Sequence, residues 1–367
     1  LSIRRMQQIS LYNYSIFIQD QQIMSKAKQI QINFNIQNFS ILSERQKRVM
    51  GCVFGGLIGG SIGYATQNFD FGKQQLKDSK LQIRQNKLIG LKNEIFVGNY
   101  EPGMYYTSGS QALALLEVIS YYKRLPASEF ILALIDVFDN QFCCAQEQKV
   151  GIGQTILNAL EDFKQRDIVL IQKNEIVEDF MTVTGNHNSC GSGGLMRCFP
   201  AALIDNLKNA MWASYKQSKC THKGLDQSIC CVLHTFLCYN LINEQYFIDF
   251  DLGEQIQEFK FICEEMQLQL TDEMQQLLEA KGIYSWKEKD FLPSRGGRVG
   301  QYALDSMAIA LNAFYFSKNI DQVCGLGGDA EVNGSVFGSF IGSKIGIQGL
   351  DLQFVESLLT HDQNALI

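Results

Sequence analysis

The chain is poor in several residue types, and each shortage closes off a class of explanation. Its 367 residues include four prolines, four histidines and two tryptophans. So little proline leaves long stretches free to be helical. The histidines are too scattered to form a cluster at zinc-ligand spacing, and no Ser/His/Asp order or reactive-cysteine context supports nucleophilic catalysis. Basic residues are outnumbered, 32 Lys and Arg against 38 Asp and Glu for a net charge of -6, and no basic stripe interleaves with aromatics. Nucleic acid is therefore excluded as the main partner. The eleven cysteines contain no C-x-x-C pair, and the doublets Cys143-Cys144 and Cys230-Cys231 lie in apolar runs. They read as buried free thiols in a reducing, intracellular compartment, not as a disulfide framework. No membrane span is expected: the apolar run Val49 to Ala65 is short, carries six glycines and follows the charged Glu44, Arg45, Lys47 and Arg48.

What the chain does have is glycine at a helical period. Gly51, Gly55, Gly59 and Gly63 recur every fourth residue near the start, and Gly334, Gly338, Gly342 and Gly346 do so near the end. Apolar residues fill the positions between, so the pattern predicts two helices, each with a bare ridge along one face. An interior glycine costs a helix about 1 kcal/mol relative to alanine, which is sensible where another helix must come very close. The two ends of the chain are thus expected to meet at the centre of an all-α domain over residues 44–367. Ser43 and Gln46 form a candidate capping box for the first of these helices. Further helices are expected over Ser110 to Tyr122, Phe130 to Phe142 and Tyr302 to Phe316, with acidic helices across Gln217 to Leu278 and a linker at Pro293 to Arg298.

Residues 1–43 form a separate, Gln-, Ile- and Asn-rich arm. Ile30, Ile32, Phe34 and Ile36 alternate with polar residues, which is strand periodicity. A lone strand needs a partner, so the arm either lies on another protein or wraps the body; a polar leader without fixed structure is the alternative. Arg4, Arg5, Lys26 and Lys28 against Asp20 also leave room for an organellar, mitochondrial leader. The expected setting is otherwise cytoplasmic, a cytoskeletal or ciliary assembly included.

Several polar loops are candidates for chemistry. Gly325 to Glu331 turns into the second glycine helix through Gly328 while offering Asp329 and Glu331, a pair that can either hold a divalent cation or cap the helix. Gly151 to Thr155 runs into a helix and can present N–H groups to a phosphate or serve as a connector. Gly185 to Gly194, followed by Leu195-Met196-Arg197, permits close backbone approach to a ligand; Arg197 then pairs with a phosphate or carboxylate, or else sits in a structural ion pair. His222, in Thr221-His222-Lys223-Gly224, reads as a structural histidine.

Taken in order, Gly51 to Gly60, Tyr106 to Gln111, Gly191 to Arg197, Thr221-His222, Gln301 to Ser306 and Gly327 to Glu331 resemble the ADP-ribosylglycohydrolase family over residues 44–348. The resemblance implies a compact all-α domain whose cleft holds two magnesium ions and hydrolyses the glycosidic bond between ADP-ribose and its acceptor. It also implies a diphosphate contact at Gly153 and Thr155, a ribose side formed by Ser192, Gly193, Met196 and Arg197, and a contribution from Gly328. The departures are as informative. Gly59-Gly60 replaces the family's Gly-Asp, Thr107-Ser108-Gly109-Ser110 replaces Thr-Asp-Asp-Thr, and Asp329-Ala330-Glu331-Val332 replaces Asp-x-Asp-Thr. Gly60, Gly109 and Val332 are thus read as lost ligand positions, and Thr107, Ser108, Asp329 and Glu331 as a vestigial metal set. The expectation is a catalytically inactive, glycohydrolase-like protein that serves as a structural or binding subunit and needs no cofactor. Protein partners engage it partly through residues 1–43. The alternatives are a hydrolase whose altered site still binds magnesium, and a sensor of ADP-ribose or a nucleotide.

Overall fold

The computed structural model describes residues 39, 41–69, 82–89, 94–96, 100–145, 150–166, 179, 181–186, 189–243, 250–292 and 299–361. The alternating Ile30 to Ile36 stretch, nearly all of the arm, His187 and the linker at Pro293 to Arg298 lie outside the described residues. Those described form twelve α-helices: α1 Glu44–Tyr64, α2 Thr107–Tyr122, α3 Ala127–Asn140, α4 Gln154–Arg166, α5 Leu207–Lys219, α6 Leu225–Asn243, α7 Leu252–Glu265, α8 Asp272–Leu278, α9 Ala303–Tyr315, α10 Ile320–Cys324, α11 Ala330–Ile345 and α12 Leu352–Thr360. Short 3-10 turns occupy Ser192–Arg197 and Phe199–Leu203. The fold is all-α, as the periodicity implied.

Helices α1 and α11 meet along the glycine ridges. A Cβ built on Gly55 would lie 2.9 Å from the carbonyl carbon of Gly338 and closer still to its oxygen, and one built on Gly338 would meet Gly55 in the same way. Gly51 faces Gly342 and Gly59 faces Gly334 with equal intimacy. The pairing runs antiparallel, backbone on backbone, and only glycine permits it. Gly346 ends α11 with φ +67, yet its backbone still meets Gly51 and so closes the ridge. Gly63, at the other end, rests on the Ala330 carbonyl and so draws the start of α11 against the last turn of α1. The capping box of α1 is formed as read, with Gln46 N donating to Ser43 Oγ at 3.2 Å and Ser43 N to Gln46 Oε1 at 2.9 Å.

The remaining helices pack around this pair. Helix α6 is buried along nearly its whole length and shares one apolar core with α9 and α11. It lies inside the stretch expected to hold acidic helices, yet it is apolar. It is also the one helix among the described residues long and apolar enough to cross a membrane, and 83% of that window is buried inside the protein. A small antiparallel sheet was not foreseen: β1 Gln82–Arg84, β2 Lys87–Ile89 and β3 Glu94–Phe96 pair in that order, with Arg84 opposite Lys87 across a two-residue turn. Asn86 in that turn takes φ 52, and its Nδ2 donates to the carbonyls of Glu101 and Met104, both at 2.5 Å. Ser61 Oγ of α1 donates to Asn86 Oδ1 at 3.1 Å, so the hairpin tip is fastened to the glycine helix.

Candidate functional site

Three helix ends converge where Gly63 admits the start of α11. Gly60, one turn earlier on the same helix, directs its absent side chain at Ser108 Oγ near the N-terminus of α2; a Cβ there would lie 2.5 Å from it. Glu331 is fully buried, and its Oε1 accepts from Ser108 N at 2.7 Å. The N-cap of α2, Tyr106, makes no side-chain capping bond. Glu331 therefore supplies from α11 the acceptor that α2 lacks, and the positive end of the α2 dipole favours its position. The capping reading of the acidic pair needs amending. Asp329 stands at the N-cap position of α11 but caps nothing with its side chain, whereas Glu331 caps a different helix.

Burial raises the Glu331 carboxyl to about 8, and the nearby Asp329 charge adds to the rise while the Ser108 amide and hydroxyl oppose it. Glu331 Oε2 and Ser108 Oγ nonetheless complete no hydrogen bond of normal geometry. Asp329 is half-buried: Ser192 Oγ donates to its Oδ2 at 3.0 Å and Gln67 Nε2 reaches its Oδ1 at 3.5 Å. Three tyrosines border the site. The Tyr64 and Tyr106 rings lie 4.4 Å apart, and Tyr100 stands 5.0 and 4.9 Å from them. Burial pushes the Tyr64 phenol to about 12 and raises Tyr100 and Tyr106 as well, with the Glu331 charge contributing to each.

The structure brings together most of the positions read as functional. Thr107 and Ser108 begin α2, Asp329 and Ser192 are hydrogen-bonded, and Gly193 packs against Ile156, the residue after Thr155. The Gly151 amide donates to the Tyr106 hydroxyl at 3.0 Å, joining that loop to the site. Gly153 is exposed, with nothing within 4 Å of where a Cβ would stand. Gln67, Tyr64 and Tyr100 were missed, and Tyr106 was read only as the first residue of its motif; neither the glycine period nor any motif spacing marks the other three.

Four expectations need correction. Arg197 does not face a ligand. It is wholly buried over the Phe130 ring, and its donors go to Gln111 Oε1 at 2.6 Å, Gln217 Oε1 at 2.9 Å, the Gln217 carbonyl at 3.2 Å and Thr221 Oγ1 at 2.6 Å. Its partners are neutral, so it is not the alternative ion pair either; burial lowers it to about 10. Met196 is likewise core, 4% exposed. Gly328 is taken up by the turn: its φ is +64, its N–H donates to the Phe69 carbonyl and its carbonyl accepts from Asn68, both at 2.8 Å. Finally, of the three lost ligand positions only Gly60 points into the site. Gly109 faces Tyr105 and Leu57, and Val332 packs in the core.

A second layer links the site to the interior. Gln111 Nε2 donates to Thr107 Oγ1 at 3.0 Å and its Oε1 accepts from Arg197, which in turn donates to Thr221. Thr221 Oγ1 lies 2.8 Å from His222 Nδ1. His222 is buried and held neutral, its imidazole lowered to about 3 by burial and then by the charges of Arg197 and Lys219. This is the structural role read for it.

Two magnesium ions need several carboxylates with fixed geometry. Among the described residues no group of three or more His, Cys, Asp or Glu side chains is placed to hold a metal ion. Glu331 favours its protonated form at neutral pH and spends one oxygen on a helix cap. Of the positions that the resemblance assigns to the metals, Asp329 and Glu331 alone carry carboxylates.

A family model for ADP-ribosylglycohydrolases matches residues 42–366, and the chain belongs to that family. Among solved structures, 45 chains match. One described as "ADP-ribosylglycohydrolase-related protein complex" superposes with a TM-score of 0.63 at 19% identity, covering 89% of this chain and 97% of its own. At that identity the likeness speaks for the fold. No curated protein matches.

Proposed function

We propose that this member of the family has given up glycosidic hydrolysis and acts as a binding or structural subunit of a larger assembly, with residues 1–43 as one means of attachment. The observation that supports this most is the new employment of Glu331. A carboxylate that would serve a metal is turned onto the N-terminus of α2, in surroundings that favour its neutral form. Gly60 and Ser108 meet where the resemblance places aspartates, so the positive charge of two cations has no counterpart there. Eleven buried cysteines, none in a disulfide, suit a reducing compartment, the cytoplasm first among them. The test is incubation of the full chain with an ADP-ribosylated peptide and magnesium, with and without EDTA. No EDTA-sensitive release of ADP-ribose is expected, and magnesium-dependent turnover would sink the reading.

A second reading, retention of one cation or of ADP-ribose without the two-metal centre, has its own observations. Ser108 Oγ and Glu331 Oε2 are buried without hydrogen bonds, and the Gly153 turn stands open beside Tyr106. Calorimetric titration with magnesium, then with ADP-ribose, separates the two: heat in either titration favours the second reading, and silence in both favours the first.

A further inference from the structure

The segment that leads into the site is held in part by the last described helix. Glu101-Pro102-Gly103-Met104 forms a turn closed by Met104 N donating to the Glu101 carbonyl at 3.1 Å, with Gly103 at φ +98. Proline second and a positive-φ glycine third are the marks of a type II turn. The chain then runs through Tyr105 and Tyr106 to Ser108, whose amide meets Glu331. Asn86 of the hairpin fixes the turn by its Glu101 and Met104 carbonyls. Helix α12 fixes it by the two residues between. His361 Nε2 donates to the Pro102 carbonyl at 2.8 Å, and a Cβ on Gly103 would collide with the Ser357 carbonyl and stand 2.6 Å from the His361 ring.

Helix α12 itself is lightly held. Val355 and Leu358 are its buried side chains, in one apolar cluster with Tyr100, Met104 and Tyr105, whereas Leu352, Gln353, Glu356 and Thr360 are exposed. Along its flank a cleft of about 370 Å³ separates Gln353, Phe354 and Ser357 from Arg84, Gln85 and Lys87, so the hairpin does not brace it there. A nine-residue helix with so few buried contacts opens at a smaller cost than α1 and α11, whose backbones interlock. We propose that α12 is a strap. Docked, it presses the Pro102-Gly103 turn into place and orders residues 100–108; lifted, it releases Tyr100, Tyr106 and the Ser108 amide together. The order of the site is thereby set from a helix that contributes no residue to it, whichever function the site serves.

The test is hydrogen exchange of the full chain, read at single amides by mass spectrometry with electron-transfer fragmentation. In the wild type the α12 amides are expected to exchange at least tenfold faster than those of α1 and α11. Leu358→Ala trims the strap and leaves every residue of the turn and the site unchanged. It should quicken exchange at α12, Met104 and Ser108 at least tenfold while α1 and α11 keep their wild-type rates. Val355→Ala removes less and should shift the same amides by a smaller factor, which keeps the test available if Leu358→Ala does not fold. The proposal is overturned if wild-type α12 exchanges as slowly as α1 and α11, or if neither variant quickens it. It is also overturned if α12 quickens while Met104 and Ser108 do not, since the helix then opens without consequence for the site. An equal rise in α1 and α11 would mark a protein that is merely less stable and would refute the strap as well.

Discussion

Replacing Gly55 with alanine adds one methyl group at the place where α1 and α11 have no room for it. The new Cβ would stand 2.9 Å from the Gly338 carbonyl carbon and nearer still to the oxygen, and both belong to backbone. No rotamer change relieves the overlap, so the helices must part by about 1 Å to restore ordinary contact distances. Such a gap forfeits a quarter to a half of the dispersion energy of the atoms along it. Overpacking of this kind costs about 1–3 kcal/mol even where side chains can yield, and here they cannot; alanine's better helix propensity returns about 1 kcal/mol. A net loss of roughly 3 kcal/mol corresponds to roughly 4–5 °C in Tm for a domain of this size. Differential scanning calorimetry of Gly55→Ala, with Gly153→Ala as control, measures it. Gly153 has nothing within 4 Å of its missing Cβ, so the control should stay close to wild type. Gly55→Ala combined with Gly338→Ala should cost less than the sum of the two, since the first methyl opens the gap that the second fills. A Gly55→Ala protein that melts at or above the wild-type temperature would refute the ridge-on-ridge argument.

Three further outcomes are expected. Glu331→Gln keeps the acceptor for Ser108 N but removes the ionisable group. Because the folded carboxyl is raised from 4.5 to about 8, the wild type loses stability as pH rises from about 4.5 through 8, by at most about 5 kcal/mol, while the variant does not. Urea unfolding of both at pH 5, 7 and 9 should show the gap widening, and a pH-independent gap counts against a buried neutral carboxyl. His222 titrates in the opposite sense: its folded pKa is depressed to about 3, so stability falls as pH drops below the unfolded value of 6.5. His222→Gln should remove about 2–3 kcal/mol of that loss by pH 4.5, and parallel curves for variant and wild type would contradict the assignment. Arg197→Met strands acceptors on Gln111, Gln217 and Thr221 and should cost about 3–5 kcal/mol in chemical denaturation. Arg197→Lys should recover only part, since a lysine cannot reproduce the fork; full recovery would mean that the four bonds matter little.

The sequence carried the fold further than it carried the site. Glycine at every fourth position is a statement about backbone, and backbone pairing is what the α1 and α11 contact consists of, so the spacing translated directly. The capping box over Ser43 and Gln46 was legible for the same reason, being local. The hairpin escaped because its strands are three residues long, too short for alternation to register. Arg197 misled because a guanidinium after a glycine-rich loop carries the same letters whether it turns outward to an anion or inward. Its inward direction is set by Gln111, Gln217 and Thr221, 86, 20 and 24 residues away in the chain. Gly109 and Val332 misled in a related way. Matching letter by letter assumed that each replaced residue once pointed at the cations, and the orientation of the helices decides that instead.

That separation explains how such a scaffold stands independently of the chemistry at its ends. The glycine ridges are held by apolar contact between two backbones and owe nothing to a bound ion, so α1 and α11 keep their register whatever happens at their ends. The weak point is the N-terminus of α2, where Tyr106 contributes no cap and the first amides need an acceptor. Glutamate is one methylene longer than aspartate, and in this fold the Glu331 carboxyl reaches Ser108 N at 2.7 Å. The two positions thus meet on one residue: Gly60 leaves room for Ser108 Oγ, and Glu331 holds the Ser108 amide. On this argument Gly60→Asp alone should be worse tolerated than Gly60→Asp with Glu331→Asp, since an aspartate at 60 is driven into Ser108 and beside a buried carboxyl. Comparing the two by thermal melting, with and without magnesium, tests it. If the double variant is stabilised by magnesium where the wild type is not, the two positions together decide whether this corner of the fold binds a cation or caps a helix; if the double variant melts below the single one, they are not complementary.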